Sequence, residues 1–309
     1  MLASLAKTYY QFILSQGVLS AIGVACLYSP ALACLSTWFS KRRGAAMGIM
    51  VTGSSVGGVV FPIMVSRLIK SAGYPWAMRS AAFLILGLQI VAILTVRPRT
   101  RPVPKPMPAA GRLAAPFKEL PFVMLLLGIA VLTYGIFIPI TYLAVQGFEE
   151  AHASEEMAQY LVAIFNGASL FGRLASGYGA DMMGRWNMFV VACAVSGVAE
   201  IAVWIPATRP SVAIGFAIMF GFASGAFIGL VGALPVSVSP PAEIGYRLGV
   251  VFLAVSVPAL TLGPIGGVIL QHGGWLDVKV FGGVMTGAGS AIVLVSRWLY
   301  TDMKLLKVF

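Results

Sequence analysis

Apolar runs of twenty residues or more recur from one end of this chain to the other, and they dictate most of what it can become. A helix needs about 20 apolar residues to cross roughly 30 Å of hydrocarbon, where every backbone N–H and C=O must be bonded within the protein. Only 10% of the 309 residues are charged and 59% are apolar. A water-soluble domain carries about 25% charged residues, so no water-facing surface can be built from this composition. Continuous apolar runs, without alternating strands of about ten residues, argue against an outer-membrane barrel. The expected fold is all-α, a polytopic membrane helix bundle.

Nine spans can be placed, near residues 10–38, 45–69, 77–97, 120–146, 157–179, 187–206, 211–237, 246–270 and 278–300. The first is too long for a signal-peptide core and lacks a small-residue cleavage site after it, so it reads as a span. Between the third and fourth lies a stretch with Arg97, Arg99, Arg101, Lys105, Arg112 and Lys118 among six prolines. Such a segment buries no core and reads as an extended connector. It divides the chain into a partial N-terminal bundle (1–97), a basic linker (98–118) and a C-terminal six-helix bundle (119–309).

The net charge of +11 is not gathered on a soluble face, so no nucleic-acid partner is expected. It suits the positive-inside rule instead. With the linker in the cytoplasm, Lys41-Arg42-Arg43, Arg173, Arg185, Arg247, Arg297, Lys304 and Lys307 share its side. The acidic loop from Glu149 to Glu156 lies opposite. That places the C-terminus inside, with the plasma membrane as the expected location. Cys26, Cys34 and Cys193 all sit in apolar segments and read as small hydrophobes, so neither a disulfide, a metal site nor a cofactor is expected.

A repeat relates Gly17–Phe61 to Gly221–Gly267 at an offset of about 204 residues. In each copy a glycine-spaced span reaches a proline (Pro30, Pro235), then an arginine (Arg43, Arg247), then a glycine pair (Gly57-Gly58, Gly266-Gly267). Spans one to three thereby match seven to nine, and spans four to six have no upstream counterpart. A two-fold repeated architecture calls for three more spans, about 90 residues, before Met1. A cavity wall missing on that account would call for lipid or a second chain.

Five stretches together resemble the major facilitator superfamily, and within it the fungal monocarboxylate-porter-like branch. They are Tyr9 to Gly17, Thr37-Trp-Phe-Ser-Lys-Arg-Arg-Gly-Ala-Ala-Met-Gly48, Gly53-Ser-Ser-Val-Gly-Gly58 with Phe61-Pro62, Asn166-Gly-Ala-Ser-Leu-Phe-Gly-Arg173, and Asp181-Met-Met-Gly-Arg185. The resemblance implies that the spans present are the fourth to twelfth of the family fold. It also implies secondary transport of a small organic anion or metabolite by alternating access, efflux of a pathway product included. A proton-linked monocarboxylate uptake carrier is the alternative within the family. A non-transporting membrane fragment is the alternative of another class.

Arg173 is an ionisable group inside an apolar helix, which defaults to a functional expectation, and its planar fork suits a carboxylate. In animal monocarboxylate transporters an arginine of the eighth span is thought to bind substrate with an aspartate one turn earlier. Ser169 stands at that earlier position here, with Asn166 a further turn up, which tilts the expectation away from proton-monocarboxylate symport. Snorkelling is the bland alternative for Arg173. By the family arrangement Gln16, Tyr28, Tyr134 and Phe222 join Arg173, Asn166 and Ser169 as candidate substrate contacts. Asp181 and Arg185, with Gly177 and Gly184 permitting a tight turn, are expected to form a gating lock in which the aspartate accepts backbone N–H groups. Arg43 would add to that charge network.

Glu200 is expected near the external end of its span, partly exposed, with proton carriage as the other reading. Gly53-Ser54-Ser55-Val56-Gly57 fits the nucleophile-elbow pattern G-x-S-x-G. It lies in an apolar helix, and both histidines, His152 and His272, fall in external loops, so close packing is the better reading and no enzyme is expected.

Overall fold

The computed structural model describes residues 1–39, 42–99, 113–240 and 243–301 together with Met303; the side chains of Ser29, Ala33, Ser36 and Arg43 are outside that description. Most of the expected connector, residues 100–112, also lies outside the described residues. Among the described residues all regular structure is helical. Six stretches of the described residues are long and apolar enough to cross a membrane.

Two of those six are about double the necessary length, Gly44–Thr95 with 52 residues and Ile244–Tyr300 with 57. Each is broken by a glycine in the left-handed region, Gly73 at φ 79° and Gly274 at φ 75°. Only glycine adopts such a backbone without a Cβ penalty. Divided there, and with Glu155–Met183 added, the described helices give nine stretches of spanning length.

The reversal at Gly274 can be followed along the helix Leu120–Glu149. Arg247 meets Glu119, Tyr134 meets Thr261, and Tyr142 meets the Gly263 carbonyl, so this half of the long helix runs parallel to it. Trp275 then packs against Tyr142, Gly135 abuts Thr286, and Ser296 bonds the Pro121 carbonyl. The second half therefore returns antiparallel.

The chain divides into two compact units, Met1–Arg43 with Gly57–Pro104, and Gly44–Val56 with Lys105–Phe309. In the first, Tyr9–Phe12, a π-helical turn Ile13–Leu19 and Ser20–Trp38 form one continuous rod. It runs alongside residues 74–97, held by Gln16 Nε2 to the Tyr74 hydroxyl (3.1 Å) and Trp38 Nε1 to the Arg97 carbonyl (2.8 Å). Ile22, Val24, Phe83, Leu86, Ile93 and Leu94 remain exposed, a surface that hydrocarbon accepts and water does not.

The second unit holds the main core. Trp204, Phe216, Phe220 and Phe165 form a run of stacked rings with successive centroids 5.3, 5.1 and 5.9 Å apart. Two charge clusters tie its helix ends. Arg247 forks onto Glu119 (2.7 and 2.6 Å) and reaches Glu243 (3.0 Å), while Lys279 pairs with Glu150 at 2.6 Å. Arg247, read from the sequence as a loop charge, is thus a buried partner of two carboxylates. The glutamates supply what its burial requires.

Candidate functional site

The helix Glu155–Met183 opens on an N-cap, Ser154, whose Oγ accepts the Met157 N–H at 3.2 Å. Glu155 and Glu156 in its first turn favour the positive end of the dipole. It ends at Gly184, where φ of 91° turns the chain into the helix Arg185–Ala199. At four-residue intervals along it, Arg173, Gly177 and Asp181 fall on one side.

That side meets the helical segment Gly44–Val56, which belongs to the same unit. A Cβ on Gly44 would lie 2.6 Å from the Gly177 carbonyl oxygen, and one on Gly48 2.7 Å from that of Arg173. A Cβ on Gly177 would lie 2.6 Å from the Gly44 oxygen. Backbone thus rests on backbone, and Gly44-x-x-x-Gly48 is there because a side chain has no room.

Charges sit at both ends of this crossing. The helix beginning at Arg43 has Arg42 as its N-cap, with no side-chain cap of its own. Its first N–H groups would be orphans. Asp181 takes them, Oδ1 accepting from Gly44 N at 2.8 Å and Oδ2 from Ala45 N at 2.9 Å. A carboxylate in the last turn of its own helix faces the wrong dipole end; here a second helix N-terminus compensates it. Two turns earlier, the buried Arg173 donates from Nη1 to the Val51 carbonyl (2.7 Å) and to Ser54 Oγ, which itself donates to Val51. Arg173 and Asp181 thus grip one short helical segment at two points.

The opposite seam of Glu155–Met183 is also glycine-built. Cβ atoms at Gly221 and Gly225 would come within 2.5 Å of the Phe165 oxygen and 2.7 Å of the Ser169 oxygen. Ser169 is fully buried against Gly225, and Phe222 is 49% exposed on the same neighbouring helix, Pro210–Leu230. Asn166 is half-buried and donates Nδ2 to its own helix at Val162. Tyr134 shares a 2.6 Å bond with Thr261 and sets its ring edge toward Phe281.

Of the residues singled out from sequence, Ser169, Arg173, Gly177, Asp181 and Gly184 thus come together along one helix and its end. Arg185 opens the next helix, half-buried. Gln16 and the half-buried Tyr28 belong to the first unit and are placed only within it. Arg43's side chain lies outside the described residues. Two features escaped sequence reasoning. One is the target of Asp181, signalled only by the lack of a capping residue before Gly44. The other is the burial of Glu200, which is not partly exposed but wholly enclosed.

Among the described residues, nine helical stretches of spanning length, glycine seams and two charge clusters with buried cations make a polytopic membrane bundle. The family model "Major Facilitator Superfamily" matches residues 1–215, and the chain belongs to that superfamily of secondary transporters. It is 70% identical to the "Fujikurins efflux protein" of Gibberella fujikuroi over 311 residues, covering all of this chain and 67% of that protein. It is 49% identical to "MFS transporter asaE" of Aspergillus flavus, covering 99% of this chain and 69% of that protein. The chain thus spans about two thirds of the length of these relatives. Among solved structures, a bacterial homologue of the iron transporter ferroportin in its outward-facing state superposes with a TM-score of 0.65 at 17% identity, over 96% of this chain and 76% of that one. That likeness concerns the fold alone.

Proposed function

We propose that this transporter exports a fungal secondary metabolite across the plasma membrane, with its C-terminus in the cytoplasm. The observation that carries the reading is its 70% identity to a protein named for fujikurin efflux. A fujikurin-type metabolite is accordingly the first substrate to test. Residues 1–97 and 119–309 act as the two moving parts joined by the linker 98–118. The bilayer is their other partner.

The grip of Asp181 and Arg173 on Gly44–Val56 supports a gating role for this crossing. Asp181 holds the helix N-terminus, Gly177 permits the contact, and Gly184 and Arg185 fix the turn that carries Asp181; Arg43 completes the proposed gating set. Opening this face requires the two N–H···carboxylate bonds to break, so the clamp sets the balance between closed and open forms. Arg173, Asn166, Ser169, Tyr134, Gln16, Tyr28 and Phe222 are the proposed substrate contacts.

The test is efflux of radiolabelled fujikurin from preloaded cells that express the protein, against cells that do not. Faster first-order loss is expected. Equal loss, with the protein present at the cell surface, overturns the reading.

A further inference from the structure

We propose that Glu200 is a proton-binding site, and that its occupancy is coupled to transport through Thr286 and the helix Leu120–Glu149. The coupling half of this proposal rests on the transport reading above; the proton site does not.

Glu200 is 0% exposed, about one turn from the end of the spanning stretch Arg185–Trp204. It is the first residue of the π-helical turn Glu200–Trp204, an irregularity frequent at functional sites. Among the described residues its carboxyl has a single hydrogen-bond partner, Thr286 Oγ1, at 2.9 Å from Oε1 and 3.1 Å from Oε2. One hydroxyl carries one hydrogen, so the two oxygens of a bare carboxylate would have that single hydrogen between them. The remaining charge would sit uncompensated in an apolar core, at a cost of several kcal/mol. A protonated carboxyl fits the same geometry better. Its O–H donates to Thr286 Oγ1 through one oxygen, while the other accepts the Thr286 hydroxyl or stays a neutral carbonyl.

Among the described residues no counter-charge is paired with it. On its own helix the nearest titratable group is the buried Cys193 thiol, two turns earlier. On the facing helix, Lys279 is committed to Glu150 at 2.6 Å and to the Ile205 carbonyl at 3.2 Å, and Asp277 is exposed. The helix Pro210–Leu230, which also packs here, carries no titratable residue. On Leu120–Glu149, the Tyr134 hydroxyl is taken by Thr261.

Thr286 packs directly on the backbone of Leu120–Glu149 at Gly135. A Cβ on Gly135 would fall 2.1 Å from Thr286 Oγ1 and 2.4 Å from its backbone nitrogen. A displacement of Thr286 toward Gly135 is therefore borne by Leu120–Glu149, whose next residue back is Tyr134, a proposed substrate contact. The step itself is a Brønsted exchange. A carboxylate oxygen takes H⁺ from hydronium, an O–H bond forms, and the proton later returns to water, with no electron transferred.

The experiment combines infrared difference spectroscopy with flux, on the protein in lipid vesicles. Wild type minus Glu200→Gln should show a protonated-carboxyl C=O band at neutral pH, and Thr286→Val should move that band to higher frequency by removing its hydrogen bond. An imposed pH gradient should change wild-type flux of labelled fujikurin, while Glu200→Gln keeps gradient-independent exchange and loses the response. If the band is absent from the folded wild type, the proton site is wrong. If the band is present but Glu200→Gln responds to the gradient as wild type does, the coupling is wrong. If the wild type moves nothing, the transport reading fails and the coupling with it, and the band alone decides the proton site.

Discussion

Replacing Asp181 by alanine removes both acceptors that cap the helix beginning at Arg43, without touching the core of its own helix. The bonds lost are those from Gly44 N and Ala45 N, at 2.8 and 2.9 Å. Loss of a capping side chain costs about 1 kcal/mol, and loss of a surface charge at a helix N-terminus about 0.5 kcal/mol more. Relief of the unfavourable dipole at Asp181's own helix end occurs in both clamped and open forms and cancels. The net shift of about 1.5 kcal/mol is roughly tenfold in the ratio of open to clamped protein. Asparagine keeps one acceptor but sets an NH2 where Oδ2 accepts from Ala45 N, so Asp181→Asn loses the charge and one bond, about 1 kcal/mol or roughly fivefold. Alkylation of a cysteine at Met47, 2% exposed on the gripped segment, reads this ratio in a background without Cys26, Cys34 and Cys193. The expected order of rates is Asp181→Ala, then Asp181→Asn, then the parent. Equal rates in all three, at matched thermal stability, refute the clamp.

Three further outcomes follow from other contacts. Gly172→Ala sets a Cβ 1.9 Å from the Phe222 backbone oxygen, so overpacking of about 1–3 kcal/mol should lower the thermal unfolding midpoint in detergent. Lys279→Met strips the Glu150 carboxylate of its ammonium and should destabilise by about 3 kcal/mol; adding Glu150→Gln should recover most of that midpoint. Arg173→Lys keeps the charge, but its shorter side chain stops short of Val51 and Ser54, both of which Nη1 reaches, a loss of about 1.5 kcal/mol and thus roughly tenfold in turnover, measured as initial efflux rate.

Much of this architecture was legible because membrane helices announce themselves by length. Residues 246–270 and 278–300 read as separate spans from hydropathy, and Gly274 is the point where the continuous helix reverses. Asp181 was readable as an acceptor of N–H groups from its place at a helix end. Which N–H groups it accepts was not, because that depends on contact between segments more than 130 residues apart. Ser169 shows the same limit: its turn relation to Arg173 is sequence, whereas its burial against Gly225 is tertiary packing. Glu200 was misjudged as partly exposed because position along a span says nothing about which face meets lipid. Thr286, its hydrogen-bond partner, and Gly282, which lies against its carboxyl, carry no signal in the linear pattern.

A reversible tether across the crossing puts the alternating clamp to its most direct test. The Asp181 side chain reaches the Ala45 backbone, so cysteines at 45 and 181 in the cysteine-free background place two thiols at this contact. Efflux of labelled fujikurin is measured before oxidation, after oxidation, and after reduction. The account predicts transport in the reduced protein, background flux when the disulfide has formed, and recovery on reduction. Undiminished export by fully cross-linked protein would contradict it.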